Sequence, residues 1–390
     1  MKTLHLAIIT VIGIGAVASL GIVILSTPHP AERFRIASPQ HYDFGGIAVN
    51  QVTGKEYVCN DLGFVNVLDA RTGRTLGMIP MGGIPQDIAV NPVTDKIYAV
   101  IGSYPRPRAD SAVDVIDGTN DTIVKEISLA EMGKKPPEMI FNAMQGGKTY
   151  KIWPVQVAVN PRTDRIYVSD WNYGDGGVTV IDGRTDKVVN AITGLDGGSY
   201  GIGVDPETGR IYVDNVQYGY KAPYQVTVID GYTGKILANV TIGLRGPHGV
   251  STIPGPAVSP LAVNPSTNMV YASCSGCMAP GQNQSRSWIS VINGTTDTVA
   301  NTIPLDALDI AVNPKINTLY STLGSDPVDR TAGSFRVAII DGQTNHVTDY
   351  LQAGRVGSSV AVDQENGNVY VTGNYLGKGG ISVFGSNALN

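Results

Sequence analysis

Few residues of this chain carry obvious chemistry: three cysteines, five histidines and scattered carboxylates in 390 residues. Cys274 and Cys277 form a C-S-G-C segment, a spacing shared by zinc sites, dithiol redox centres and small disulfides. Structural zinc asks for four ligands, yet there is no second cysteine pair, and His248 belongs to a different loop. Redox pairs sit where a helix N-terminus lowers the thiol pKa, and no helical period is visible here. A small loop-closing disulfide is therefore expected for an exported chain, with Cys59 left as a buried free thiol. Of the histidines, His5 and His29 fall in the N-terminal segment and His346 in a Q-T-N-H turn, leaving His41 and His248. No acid–base pair with supporting spacing emerges, and no C-x-x-C-H haem attachment is present. Asp170-Trp-Asn172-Tyr-Gly174-Asp175 starts like a calcium loop, but Gly174 stands where a ligand is wanted and Asp175 where glycine is wanted. Hence no catalytic residue, cofactor or metal ligand is assigned.

The elements that must position these residues are written as a repeat. A dodecapeptide recurs seven times, from IAVNQVTGKEYV at Ile47 through VAVNPRTDRIYV at Val157 to VAVDQENGNVYV at Val360. Six copies are followed by a second phrase, clearest as VTVIDGRTDKVVNAITG from Val178. Asn-Pro-x-Thr-Asp and Asp-Gly-x-Thr are turn chemistry between Val/Ile-rich runs, so each unit reads as two hairpins. The runs are apolar on both sides, as suits sheets buried on both faces. The expected fold is an all-β, seven-bladed β-propeller of four-stranded antiparallel blades. The last unit offers only GISVFG after its first hairpin, while RFRIAS, Arg33 to Ser38, precedes the first unit without a partner. The N-terminal strand is expected to complete the last blade in three-plus-one closure, removing an open edge.

These phrases resemble the YVTN family of β-propeller repeats over about residues 33–385, with YVTG at Tyr370 nearest the family string and YVSD at Tyr167 and YVDN at Tyr212 as variants. The resemblance implies a propeller like those of archaeal cell-surface and bacterial periplasmic proteins. It implies no shared catalytic residue set.

Composition narrows the partners. A formal charge of −5 without a basic run argues against nucleic acid, which needs clustered Lys and Arg. Leu6 to Leu25 is a 20-residue apolar stretch, long enough to span a bilayer. Residues 1–25 are thus expected to be a transmembrane anchor or signal segment, the anchor being favoured and cleavage after Ala16-Val17-Ala18 being the competing reading. Residues 26–32 form a linker, residues 33–385 the propeller and 386–390 a tail, with the propeller on the extracytoplasmic side of the cell membrane. Sequons at Asn120, Asn239, Asn283 and Asn293 agree with that placement.

Function is sought where the repeat breaks. The turns inside each hairpin are tight, whereas the loops at the other face carry the insertions, and long loops on a rigid scaffold are binding territory. Seven tyrosines of the repeated second strand read as packing; most others fall on the elaborated face, Tyr224 among them. Trp153, Trp171, Tyr173, Tyr218, Tyr220 and Tyr104 are the expected binding residues for a protein or glycan partner. Residues just before the innermost strands, Asp43, Gln86, Asp87, Gln156, Tyr200 and Asp309, are expected to ring the channel mouth, where hydrogen bonding between blades competes with cation binding. The alternative is a propeller enzyme, lactonase- or lyase-like, acting at that mouth.

Overall fold

The computed structural model describes residues 32–37, 44–102, 111–129, 153–171, 176–217, 221–245, 261–324, 336–353, 357–375 and 378–385. The anchor segment and tail lie outside them; among the described residues no helix is long and apolar enough to cross a membrane.

The secondary structure described is all strand. After β1 (Glu32–Ala37), the first unit holds β2 (Phe44–Asn50), β3 (Lys55–Asn60), β4 (Phe64–Asp69) and β5 (Thr75–Pro80). The second holds β6 (Ile84–Asn91), β7 (Lys96–Gly102), β8 (Ala112–Asp117) and β9 (Thr122–Ser128), the third β10 (Trp153–Asn160), β11 (Arg165–Trp171), β12 (Gly176–Asp182) and β13 (Lys187–Leu195). In the fourth are β14 (Gly198–Val204), β15 (Arg210–Val216), β16 (Pro223–Asp230) and β17 (Ile236–Arg245); in the fifth, β18 (Leu261–Asn264), β19 (Met269–Met278), β20 (Arg286–Asn293) and β21 (Thr298–Ile303). β22 (Ala307–Asn313), β23 (Thr318–Leu323), β24 (Arg336–Asp341) and β25 (His346–Gln352) make the sixth, and β26 (Gly357–Val362), β27 (Val369–Tyr375) and β28 (Lys378–Phe384) the last. Each unit is an antiparallel meander, and β1 pairs β28 to give the last sheet the order β1-β28-β27-β26. The strand begins one residue before the Arg33 expected from sequence. First strands of consecutive units touch in turn, β2 against β6 and onward to β26, which touches β2.

Apolar side chains meet between units rather than within them. Tyr57, Cys59 and Val65 of the first unit pack on Ile88, Ile97 and Ala99 of the second, and each later seam has such a cluster. The repeated second-strand tyrosine enters every one of these clusters and is at most 3% exposed, from Tyr57 to Tyr370. These seven are packing residues.

Turn residues explain the repeat text. Asn50 Oδ1 accepts the Val52 and Thr53 amides of its own turn, while its Nδ2 donates to Asp95 Oδ1 of the next unit's turn at 2.6 Å. Asn91 bonds Asp164 (2.7 Å) and Asn264 bonds Asn317 (2.7 Å) in the same way. A carboxamide serves both roles because its oxygen accepts while its NH2 donates; where the fourth and seventh units carry Asp205 and Asp363 instead, the carboxylate accepts its own turn's amides. The recipients Asp95, Asp164 and Asn317 have φ of 55°, 52° and 49°, the left-handed region Asp and Asn tolerate best after glycine. Beside them, Lys55 Nζ bonds Gly118 O (2.8 Å) and Asp121, and Lys96 bonds Gly183 O (2.7 Å) and Asp186. Gly118 is obligatory, since a Cβ there would lie 2.1 Å from Asp95 Oδ1.

Candidate functional site

The channel-mouth set is the part of the expected site that the described residues bring together. Its members stand within the first strands rather than before them, a correction with one cause. Each of β2, β6, β10, β14, β22 and β26 carries a register shift near its start, between Pro85 and Asp87 in β6 and between Ala307 and Asp309 in β22. A bulge re-aims a side chain and breaks the ladder locally, so an amide just past it needs an acceptor from elsewhere.

In β10, β14 and β26 the preceding unit supplies that acceptor. Asp87 Oδ2 accepts from Val157 N at 2.9 Å, Gln156 Oε1 from Ile202 N at 3.3 Å and Asp309 Oδ2 from Val360 N at 2.9 Å. Asp309 Oδ1 also takes its neighbour's amide, Ile310 N, at 2.8 Å. In the first unit the equivalent of Asp87 is Gly46, and a Cβ on it would stand 2.6 Å from Asp87 Oδ1. Tyr200 is half-buried, its amide and that of Gly201 held by Asp214 Oδ1 at 3.2 and 2.6 Å. Gln86 is half-buried with its Nε2 on Ile84 O; Asp43 lies outside the described residues.

Electrostatics distinguish the two carboxylates. Burial pushes Asp87 up to about 7, against the pull of the Val157 and Ile88 amides, and the charge of Asp309 pushes it further. Burial raises Asp309 to about 6, opposed by the Val360 and Ile310 amides. Both retain some solvent contact although protein surrounds them. Such a pair can take up a proton near neutrality or polarise a bound hydroxyl. Among the described residues no group of three or more His, Cys, Asp or Glu is arranged to hold a metal ion.

The aromatic loop set is less accessible. Tyr104, Tyr173, Tyr218 and Tyr220 lie outside the described residues, and for Trp153 and Trp171 only the backbone is described, paired with each other at the end of β10 and β11. Tyr224, expected on the elaborated face, is instead 1% exposed, its hydroxyl donating to Asp214 Oδ2 at 3.2 Å. β16 runs longer than its sequence run suggests, and this draws Tyr224 into the core.

Cys274 and Cys277 are joined by a disulfide and Cys59 is a buried free thiol. The bridge spans a bulge inside β19 rather than a loop; beyond it the strand pairs β17 of the fourth unit through Leu244↔Met278 and Arg245↔Cys277, fusing two units into one eight-stranded sheet. Gly243 seats the bridge, since a Cβ there would be 2.7 Å from Cys274 Sγ. Sequence reading also missed Trp288, whose Nε1 crosses the same seam to Ile242 O at 3.1 Å. Of the sequons, Asn120, Asn239 and Asn283 are exposed, whereas Asn293 is half-buried, its Oδ1 accepting the Thr295 amide.

The fold and this polar ring define an all-β, β-propeller-like protein. No family model matches the chain, and no curated protein matches it. Among solved structures it is similar to the hydrazine synthase of Kuenenia stuttgartiensis, at 18% identity and a TM-score of 0.64, over 90% of this chain and 98% of that one. At that identity the likeness concerns fold alone.

Proposed function

We propose that the chain is a seven-bladed β-propeller of the YVTN type, closed three-plus-one by β1, and held to the membrane by its N-terminal segment with the propeller outside the cell. It acts as a binding or scaffold module for a protein or glycan partner. The ring reading is supported by the run of contacts that returns from β26 to β2 and by the β1–β28 pairing. The observation that carries the function is asymmetry between the two ends of the units. At one end, turn after turn is bonded to its neighbour, Asn50 to Asp95, Arg162 to Glu207, Lys315 to Glu365. From the other end spring the long insertions, including residues 103–110, 130–152 and 246–260, with their Tyr and Trp content. A bonded face is scaffold; an elaborated one offers recognition surface. Partner capture from intact membranes tests this: the triple variant Trp171→Ala, Tyr173→Ala, Tyr220→Ala is expected to lose it, and undiminished capture refutes the loop face.

A second reading, hydrolytic or eliminating catalysis at the channel mouth, is favoured by Asp87 and Asp309, two carboxylates raised toward neutrality, the first partly by the charge of the second. It requires turnover of a lactone or uronate substrate that Asp87→Asn abolishes. Elemental analysis showing a stoichiometric metal would also move the balance toward it.

A further inference from the structure

We propose that the end of the molecule bearing the tight hairpin turns faces the bilayer, with apolar turn tips resting in the headgroup region, so that the elaborated face looks away from the membrane. The inference rests on the anchor reading above and adds which way the propeller points.

Three observations converge. The first is where the chain enters. In β1, Glu32 pairs Phe384 and Ala37 pairs Gly380, and Phe384 in turn pairs Val369, the residue that opens β27 after the turn at 363–368. Glu32 therefore lies at the hairpin-turn end, and β1 runs away from it. Only residues 26–31 separate Leu25 from Glu32, and six residues reach at most roughly 20 Å fully extended. An anchored chain cannot hold its turn face farther from the membrane at the point of entry.

The second observation is what the turn tips present. Val52 and Val93 are 74% exposed and Tyr232 is 72% exposed, all at tips of this face, joined by Ile316 in the sixth unit. Valines so exposed at turn tips gain nothing in water, whereas apolar side chains and tyrosine are stabilised at the headgroup boundary. The third is charge. Where the tips are ionic they neutralise one another, Arg162 with Glu207 at 2.6 Å and Lys315 with Glu365 at 2.7 Å. The same face also presents exposed Arg71 and Arg184, cations that suit anionic headgroups.

The test uses the full chain reconstituted in phosphatidylcholine–phosphatidylglycerol vesicles, with an environment-sensitive fluorophore on Val52→Cys, Val93→Cys or Gln282→Cys. Gln282 is exposed in the β19–β20 loop at the opposite end, and buried Cys59 escapes labelling in the folded protein. Nitroxide-labelled lipid is expected to quench positions 52 and 93 by about twofold or more and leave 282 unchanged, as interfacial burial requires. Release of the chain from vesicles by an alkaline wash would remove the anchor and the proposal with it. Retention with quenching at 282 alone, or at none of the three, would keep the anchor and overturn the orientation.

Discussion

Glu56 occupies the column that holds Ile97, Ile166, Ile211, Val270, Leu319 and Val369 in the other repeats. It is fully buried, and neither carboxylate oxygen has a hydrogen-bond partner. On the same face of β3, Val58 packs with Leu68, Tyr370, Ile381 and Val383 in the seam between first and last units. Lys55 and Tyr57 are spent in the opposite seam on Asp121, and Tyr370 donates to Ala70 O. Burial alone lifts the Glu56 carboxyl from 4.5 to about 8. Because the folded value lies above the unfolded one, its contribution is fully present below pH 4.5, drains away as pH rises and is gone above about 8. At about 1.4 kcal/mol per pH unit, the seam loses on the order of 3 kcal/mol between pH 5 and 7.5. Glu56→Ile restores the apolar column and removes the titration. Urea unfolding of both proteins across that range is the assay, and the difference between them cancels Asp87 and Asp309, which titrate in the same sense. The stability advantage of Glu56→Ile is expected to grow by about 3 kcal/mol from pH 5 to 7.5. Parallel pH curves for the two proteins would refute the buried, partnerless carboxyl.

Three further outcomes follow from the seams. Removing residues 33–38 takes the partner from β28, and the melting temperature is expected to fall by roughly 10 °C or more; an unchanged melting curve refutes three-plus-one closure. Thiol titration of the denatured, unreduced protein is expected to return one thiol, that of Cys59, and three would refute the Cys274–Cys277 bridge. Asp309→Asn removes a charge that raises Asp87, so the Asp87 carboxyl band in an infrared titration is expected to move to lower pH; an unmoved band refutes their coupling.

Hairpins were legible because turn chemistry is local: Asn-Pro-x-Thr-Asp declares a reversal wherever it occurs, and seven copies of the dodecapeptide around it and its variants declare a repeat. Tyrosine packing was legible for the same reason, as a column in a periodic text. The polar ring was only half legible. Its residue numbers could be read, but the role of Asp87 and Asp309 is not written in any one unit, because each accepts an amide of the unit that follows, Val157 N and Val360 N. Asp87 and Val157 are 70 residues apart. The disulfide's setting was hidden likewise, since β19 extends past Cys277 only because β17 of another unit is there to pair with it. Tyr224 misled because a tyrosine beside Ala-Pro reads as loop until Asp214 is placed beneath its hydroxyl.

The Asn carboxamide that seals one turn and grips the next has a genealogical consequence. The first joint sets a giving half, Asn50 with Lys55, against a receiving half, Asp95 with Asp121, and the second unit carries both halves, giving with Asn91 and Lys96, so the interface runs head to tail. A unit copied beside itself arrives with both halves of its own joint already formed. Duplication therefore needs no new invention at the junction, and later drift is spread around the chain: Met269, Thr318 and Asn368 stand in place of the lysine, Gly209 and Gly367 in place of the receiving Asp95, and Ala70 in place of the glycine.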